Sequence, residues 1–594
     1  MKGMGFSDPW RHVRDASRAF GDFTSNEEQM FMRQHSSLAL ALAAVLAMAA
    51  TPVFASWTDN SASNLVVGNG KFGEQAQPKI LPTADGGCWI SWFDNSTGGY
   101  SVRIQRLDSV GNKMLGAHGI LVAKRYFSST QDYGLSEDAD GNALLAFHIS
   151  DTNGNNIKIE AQEVAPDGTL LWGASGIQFG NTADFLANPK ITATSDGDVV
   201  VGWTDNANME FVRLDADGNP LWNPIVQISD PGGASLTVSD IHQADNGSAI
   251  VSYVSSKGFS SPSHLLALKL GSTGISQWTA AVYDGGSLQF GNFPSFIPDG
   301  EGGAVFAWYD NTKLQSHVQH LSSGGLEMFS HNGVLVANVP GDIQVEPSAA
   351  YNAATQDTFV FWTETDAATQ GNVGVRGQRV DVSGNLAWGT TGKTIVPKTT
   401  NASYLTDTVA TSDDGAIVFY TGGVGFGQDQ VHAARLDTNG NYLWNPAIVG
   451  VSSTPAQKFR LVASILPNDM AIAAWEDIGT NSGNVLSQNV DGDGTLSVTC
   501  PDGYASYSGT LAPGGSGGSP AYAARAGMEN GILISPSDFR LLALVQQPGQ
   551  AAHWITADAS NEIHQQAPAG KYKWFAHASA SGVGGDYTLC VNHP

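Results

Sequence analysis

The sequence predicts an all-β protein in which an eight-bladed β-propeller of four-stranded antiparallel blades is followed by a small β-sandwich. Two observations predict the propeller. A glycine recurs eight times at intervals of 50–59 residues, and an aromatic residue recurs eight times earlier in the same units. A third observation, the loss of this pattern after Val498, predicts the sandwich.

The glycine marks a phrase that reads RLDADGNPLWNP at residues 213–224. The glycine column is Gly111, Gly168, Gly218, Gly274, Gly325, Gly384, Gly440 and Gly494. A large apolar residue follows four positions later: Leu115, Trp172, Trp222, Trp278, Phe329, Trp388, Trp444 and Val498. Asp215 and Asp217 suggest a calcium loop, but the glycine comes fourth rather than sixth. Only the glycine is present in every unit, which predicts a hairpin turn with positive φ.

Each unit therefore reads as strand, tight turn, strand, longer loop, strand, glycine turn and strand. The aromatic column is Trp92, Phe147, Trp203, Tyr253, Trp308, Trp362, Tyr420 and Trp475. Large aromatic side chains at this period are predicted to pack between blades. Four positions earlier stand small, mainly apolar residues, among them Cys88, so we expect a buried and unreactive thiol there.

Residues 64–67 (NLVV) resemble the end of each fourth strand, yet they precede the first unit. The eighth unit stops early, before Cys500. We therefore expect the N-terminal strand to complete the last blade and close the ring, which removes exposed sheet edges.

Charge excludes one class of partner. The formal net charge of the 594 residues is -26, and residues 1–55 contain five Lys/Arg and five Asp/Glu, so the excess lies on the remainder. A surface this acidic repels phosphate backbones, so no nucleic-acid partner is expected.

The sequence predicts three segments. Residues 1–55 read as an over-extended start followed by a secretory signal peptide at about 32–55, with a charged stretch, an apolar run too short to span a bilayer and an A-x-A-like site ending at Ala55. An uncleaved membrane anchor is the alternative. The propeller occupies 56–498 and the sandwich 499–594, with no transmembrane segment in the mature chain. We expect a secreted, cell-surface or periplasmic protein.

Cys500 and Cys590 bracket the C-terminal segment, and export would permit a disulfide between them. The same segment resembles the bacterial pre-peptidase C-terminal domain. The resemblance covers about residues 500–594 and is carried by Asp538-Phe539-x-Leu541, by residues 567–572 (APAGKY) and by residues 585–589 (GDYTL). It implies a β-sandwich appendage that serves export or polymer binding. No peptidase domain precedes it, and Arg540 departs from a run that is often acidic. The propeller looks like repeat propellers of bacterial exported proteins, a likeness of architecture alone.

The longer loops are predicted to gather on one face of the propeller, where binding usually resides. Two residues after the aromatic column stand five carboxylates: Asp94, Asp205, Asp310, Glu364 and Asp477. His148, Tyr309 and Glu476 lie beside them. They could form an acidic, partly aromatic rim for a sugar or a cation. Alternatively, each carboxylate accepts local hydrogen bonds that start a loop.

Two other motifs are weaker evidence for a functional site. Residues 514–518 (GGSGG) match G-x-S-x-G around Ser516, but a loop context lacks the strand and helix of a nucleophile elbow. His317 and His320 are three apart in a strand-like run and so face opposite sides. No cofactor or metal is predicted, and calcium fits no specific motif.

The absence of a catalytic constellation favours a secreted, non-catalytic propeller that binds an extracellular polysaccharide or protein through its variable loops. The C-terminal module would aid export or anchoring. One alternative is an extracellular polysaccharide hydrolase or lyase that uses the rim carboxylates. Another is a structural surface or adhesion protein.

Overall fold

The computed structural model describes residues 57–594 apart from 69–72, 110, 259, 290, 424, 426, 468, 480–482, 497–503, 525–526, 536–538, 558–561, 568, 581–584 and 593–594. The predicted signal peptide, Val498 and Cys500 lie outside this described part. All regular structure within it is strand, so no helix suited to crossing a membrane occurs there.

The first strand, β1 (Leu65–Gly68), precedes blade 1. Blade 1 comprises β2 (Gln75–Pro82), β3 (Cys88–Asp94), β4 (Ser101–Leu107) and β5 (Ile120–Ala123). Blade 2 comprises β6 (Gly134–Glu137), β7 (Ala143–Ile149), β8 (Lys158–Val164) and β9 (Ile177–Phe179). Blade 3 comprises β10 (Leu186–Ala193), β11 (Val199–Asp205), β12 (Asn208–Leu214) and β13 (Val226–Ile228). Blade 4 comprises β14 (Ser235–Gln243), β15 (Ala249–Ser256), β16 (Ser263–Leu270) and β17 (Ser276–Tyr283).

Blade 5 comprises β18 (Phe296–Pro298), β19 (Ala304–Tyr309), β20 (Ser316–Leu321) and β21 (Val334–Leu335). Blade 6 comprises β22 (Asp342–Asn352), β23 (Asp357–Asp366), β24 (Val373–Val380) and β25 (Lys393–Thr399). Blade 7 comprises β26 (Ser403–Ala410), β27 (Ala416–Gly423), β28 (Asp429–Leu436) and the start of β29 (Val449–Ile465). Blade 8 comprises the end of β29, then β30 (Ala471–Ile478), β31 (Asn484–Val490) and β1.

Every pairing within a blade is antiparallel, and the first strand of each blade contacts the first strand of the next. The series closes because β2 of blade 1 contacts β29 of blade 8. The predicted eight-bladed propeller of four-stranded antiparallel blades is therefore confirmed.

The ring closes through the N-terminal strand, as the sequence predicted. β1 pairs antiparallel with β31, with Leu65 opposite Ser487 and Val66 opposite Leu486. Leu65 and Val67 are buried in a cluster shared with blade 1. The last blade thus takes three strands from the end of the propeller and one from its beginning.

All eight glycines of the repeated phrase have positive φ, between 75° and 88°. At Gly218 an added Cβ atom would clash with Ile177 and lie 3.2 Å from the ring of Trp172, both in the preceding blade. The repeated tryptophan also donates its Nε1–H to a carbonyl in the next blade's glycine turn. These bonds are Trp172 to Ala216 (3.4 Å), Trp222 to Ser272 (2.9 Å), Trp278 to Ser323 (2.9 Å), Trp388 to Thr438 (2.8 Å) and Trp444 to Gly492 (2.9 Å). The predicted turn is confirmed. The predicted packing between blades is confirmed as well, because every member of the aromatic column lies in a hydrophobic cluster shared with the preceding blade.

Trp57 occupies the corresponding place at the closure of the ring. Its buried ring lies where a Cβ atom on Gly111 of blade 1 would be. The sequence analysis assigned Val498 as the eighth member of the apolar column that begins with Leu115, and Val498 lies outside the described residues. The N-terminal segment thus supplies both a strand and an aromatic ring to the closing interface.

Cys88 is fully buried, as expected from its column. Burial raises the pKa of the Cys88 thiol far above its usual range, because the charged thiolate would be desolvated. The thiolate is the reactive form, so the prediction of an unreactive thiol is supported.

The C-terminal segment is a β-sandwich. One sheet comprises β32 (Ala505–Leu511), β40 (Gly585–Asn592), β35 (Gly527–Ile534) and β38 (Glu562–Ala567). The other comprises β33 (Ser516–Gly518), β39 (Gly570–Ala578), β36 (Phe539–Gln546) and β37 (His553–Thr556), with β34 (Tyr522–Ala524) also paired to β39. Side chains of both sheets, such as Leu589 and Trp574, form one core. Cys590 is buried in β40, and its pairing with Cys500 stays a prediction.

We expect Gly218→Ala to destabilise the propeller more than Gly173→Ala. Both glycines have positive φ (80° and 78°), so both variants incur roughly 1 kcal/mol of backbone strain. A Cβ atom at Gly173 meets nothing within 4 Å, whereas one at Gly218 meets the neighbouring blade. Thermal unfolding should show a clearly larger fall in Tm for Gly218→Ala, and equal falls would contradict the interlocking of turn and ring.

We expect Val67→Asp to open the ring, because it buries an unpaired carboxylate between β1 and blade 1. Val66→Asp is the matched control, since Val66 is only half-buried on the other face of the same strand. Limited proteolysis should cut the Val67→Asp variant near its N-terminus well before Val66→Asp or the parent chain. Equal resistance would show that β1 is dispensable for closure.

Candidate functional site

The loops between strands 2 and 3 of a blade, and those between successive blades, lie on one face of the propeller, here called the loop face. All eight candidate residues from the sequence lie at strand ends near this face. The hydrogen bonds and ion pairs of each side chain determine whether it is available to bind a ligand.

The five carboxylates after the aromatic column bond within their own blades. Asp310 accepts the N–H groups of Thr312 and Lys313, both at 2.7 Å. Asp94 likewise accepts the N–H of Ser96 at 2.7 Å and pairs with Arg103.

The others also have close partners. Glu364 pairs with Arg376 at 2.7 Å, and Asp477 pairs with Lys458. Asp205 accepts a hydrogen bond from Asn206 at 2.9 Å. The local bonding that the sequence offered as the alternative is what the structure shows for these groups, and a ligand-binding role for them stays a prediction.

His148 and Tyr309 differ in accessibility. His148 is buried, with Nε2 3.0 Å from the Leu186 carbonyl oxygen. Burial and the neighbouring Arg125 lower the pKa of His148 to about 4, so its ring is neutral near pH 7. Tyr309 is half-buried and lines a cavity of about 460 Å³ at the mouth of the central channel, beside Phe293 and Trp308.

Glu476 belongs to a carboxyl pair at the junction of blades 8 and 1. Burial, together with the neighbouring Glu74 carboxyl and against the opposing effect of Arg460, raises the pKa of Glu476 to about 7. Arg460 lies 3.5 Å from Glu476, and the Tyr100 hydroxyl donates to Glu74. Glu476 is therefore partly protonated near neutral pH.

A cleft of about 500 Å³ opens on the loop face where blade 7 meets its neighbours. We call it the aromatic cleft, because Tyr404 and Phe459 line it with 46% and 45% of their surface exposed. They stand at matching places, opposite the first residue after the aromatic column of their blades. Its polar lining includes Glu346, Asp429 and Arg460.

The aromatic cleft continues toward the central channel. Glu346 lines both this cleft and the cavity that contains Tyr309. That cavity in turn shares Ser295, Ser348 and Thr406 with a channel cavity of about 650 Å³. Blades 5 to 8 therefore present one connected depression rather than eight equivalent loop sites.

Two carboxylates fix the blades around this channel. Asp407 of blade 7 accepts the Ser348 hydroxyl of blade 6 at 3.1 Å and the Ala463 N–H of blade 8 at 2.7 Å. Asp132 of blade 2 pairs with Lys79 of blade 1 at 2.8 Å and with Lys190 of blade 3. Although burial raises the pKa of Asp132, these lysines outweigh it and hold that pKa well below its usual range.

The aromatic cleft offers groups that suit a sugar. Exposed rings can lie against the apolar C–H faces of a pyranose, and carboxylates and a guanidinium can bond its hydroxyls. The sequence analysis did not identify Tyr404, Phe459 and Arg460, because they lie near the beginnings of first strands, at positions outside the repeated columns. The detectable signal was an aromatic residue at the start of two successive first strands.

The remaining motifs do not form sites. Ser516 lies within β33, directly opposite His577 and 2.7 Å from its Nδ1, with none of the helix that a nucleophile elbow requires among the described residues. His320 contacts Asp299 at 3.0 Å, while His317 lies 3.6 Å from Asp310.

The repeated turn also lacks a metal site in the part of the chain that the structure describes. Asp215 accepts the backbone N–H of Asn219 at 2.7 Å and its side-chain amide at 3.1 Å, which fixes the turn. No group of three or more His, Cys, Asp or Glu side chains suited to a metal ion occurs among those residues.

No protein-family model and no curated protein matches the chain. Similar solved structures include the polysaccharide lyase Uly1, with 12% identity over 74% of this chain and 97% of that one and a TM-score of 0.37. A eukaryotic initiation factor shows 10% identity over 75% and 94%, with a TM-score of 0.38. Prolyl oligopeptidase B from Galerina marginata shows 10% identity over 68% and 55%, with a TM-score of 0.39. These similarities are too distant to carry a function, and they concern the fold alone.

Proposed function

We propose that the protein is an exported β-propeller that binds an extracellular polysaccharide through the aromatic cleft without transforming it. The observation that carries this proposal is the exposure of Tyr404 and Phe459 in one cleft that also has polar groups. Large aromatic side chains left in water cost free energy, so two at matching places of successive blades favour a binding role. A rigid propeller holds them at a fixed spacing.

Export follows from the predicted signal peptide at about 32–55. In this proposal the C-terminal sandwich, which resembles the pre-peptidase C-terminal domain, aids export or anchoring. A disulfide between Cys500 and Cys590 would tie the ends of that module together after export.

We expect Tyr404→Ala and Phe459→Ala each to weaken polysaccharide binding roughly tenfold, because each loses about 1.4 kcal/mol of stacking and apolar burial. Titration calorimetry against a panel of soluble envelope and matrix polysaccharides would measure the loss. Phe185→Ala is the matched control, since Phe185 is an exposed aromatic residue outside the aromatic cleft. Unchanged affinity in the double variant would contradict the proposal, as would a parent chain that binds none of the panel.

Cleavage of a bound polysaccharide is a second candidate function. The Glu74–Glu476 pair favours it, because a carboxyl group with a pKa of about 7 can donate or accept a proton at neutral pH. Arg460 joins this pair to the aromatic cleft, since it contacts Glu476 and lines the cleft. Tyr100 adds a second proton-bearing group next to Glu74.

If the chain cleaves its polysaccharide, we expect Glu476→Gln to lower turnover by roughly 100-fold or more while binding persists. Reducing-end or unsaturated-product assays on the same panel would measure it. Absence of turnover in the parent chain would dismiss this second candidate and leave the binding proposal intact.

The proton on Glu476 can be tested without activity. Its pKa of about 7 lies above the ordinary value of 4.5, so its contribution to stability is complete below pH 4.5 and is lost as the pH rises through about 7. Glu476→Gln stays neutral and keeps a donor toward Glu74. Urea unfolding at constant ionic strength should therefore show the variant gaining stability relative to the parent between about pH 5 and pH 8. A pH-independent difference would contradict the raised pKa of Glu476.

A further inference from the structure

One sheet of the C-terminal sandwich presents an exposed face that differs in charge from the rest of the chain. It comprises β33, β34, β36, β37 and β39. Residues alternate between core and solvent along β39, where Tyr572, Trp574 and Ala576 point inward and are buried. We call the outer side the basic face, and its side chains include Arg540, Trp554, Lys571, Lys573, Phe575 and His577.

The basic face has no acidic member. None of the five strands contains Asp or Glu, whereas the whole chain has 55 such residues against 29 Lys and Arg. Arg540, Lys571 and Lys573 lie on strands β36 and β39, which pair directly. A sheet face with only cations in a chain of net charge -26 gives a local field opposite in sign to its surroundings.

Aromatic rings lie among these cations. Trp554 has 55% of its surface exposed, and its ring centroid is 5.3 Å from that of Phe575. The Lys573 ammonium group lies 4.7 Å above the Phe575 ring. Leu544 lies between Trp554 and Lys573 in the register of the sheet, and Leu542 lies opposite Phe575. The two rings and two leucines therefore form one apolar patch with the cations beside it.

We propose that the basic face binds an anionic polysaccharide, with sugar rings stacked on Trp554 and Phe575 and carboxylate or sulfate groups paired with Lys571, Lys573 and Arg540. Such a polymer repeats an apolar ring face and an anionic group at each unit, which matches an apolar patch of rings with cations beside it. A membrane surface fits less well, because peripheral proteins commonly enter the headgroup region with an amphipathic helix, whereas this patch lies on the face of a sheet. Nucleic acid fits less well, because three Lys and Arg side chains offset few phosphates on so acidic a chain. This site is separate from the aromatic cleft and does not rest on the function proposed for it.

The test compares affinities of the full chain for alginate, a polyuronate, and for dextran, a neutral polymer. We expect alginate to bind and dextran not to bind at this site, with alginate affinity falling as salt is raised because screening weakens the ion pairs. Trp554→Ala should weaken alginate binding about tenfold. Lys571→Gln combined with Lys573→Gln should weaken it severalfold at low salt and little at high salt. Lys257→Gln, which removes an exposed lysine in blade 4, should leave it unchanged.

Thermal unfolding of the exposed-residue variants checks that each is folded. The double variant Tyr404→Ala/Phe459→Ala should retain alginate binding, which separates this site from the aromatic cleft. Equal affinity for alginate and dextran, or alginate affinity insensitive to Trp554→Ala and to the lysine pair, would overturn the proposal. It would also be overturned if vesicles of phosphatidylglycerol and phosphatidylcholine, or an oligo-dT strand, bound more tightly than alginate and lost affinity with the same variants.

Discussion

The contact between each glycine turn and an aromatic or aliphatic side chain of the preceding blade is the constraint on which the propeller depends. A side chain at the turn would occupy the space of that neighbour, and positive φ at the same residue independently favours glycine. Five of these interfaces add a hydrogen bond from a tryptophan Nε1–H to a turn carbonyl. Each turn is thus fixed by the blade before it, and the spacing between blades is set at this contact.

The glycine turns on one face of the propeller are alike in every blade, whereas the connections on the loop face differ from blade to blade. Asp132 and Asp407 each join three consecutive blades beside the channel, so the channel walls are tied together as well as the outer edges. The aromatic cleft lies on this fixed frame and is formed by residues of first strands together with residues of connections that differ from blade to blade. The rigid frame and the variable residues therefore lie in different parts of the propeller. Variable residues on a rigid frame can be held in place for binding.

Much of the architecture could be predicted from the sequence, because the repeated columns reflect contacts that every blade must make. Glycines with positive φ, buried aromatic residues and a strand contributed from the N-terminus all leave signals at fixed offsets. The cleft could not be predicted in the same way. Tyr404 and Phe459 belong to none of the repeated columns, so no fixed offset in the sequence marks their exposure. Trp57 was missed because it precedes the first unit.

The pairing of β1 with β31 also sets an order of events. Asn64 and Gln488, which bond beside these strands, are 424 residues apart, so the ribosome must complete the propeller before its first strand can find its partner. Contacts between residues so far apart in the sequence slow folding, because the entropic cost of closing the loop is met before the contact stabilises the chain. The ring therefore stays open throughout synthesis of the propeller, and its first and last segments meet only after translation has passed Gln488.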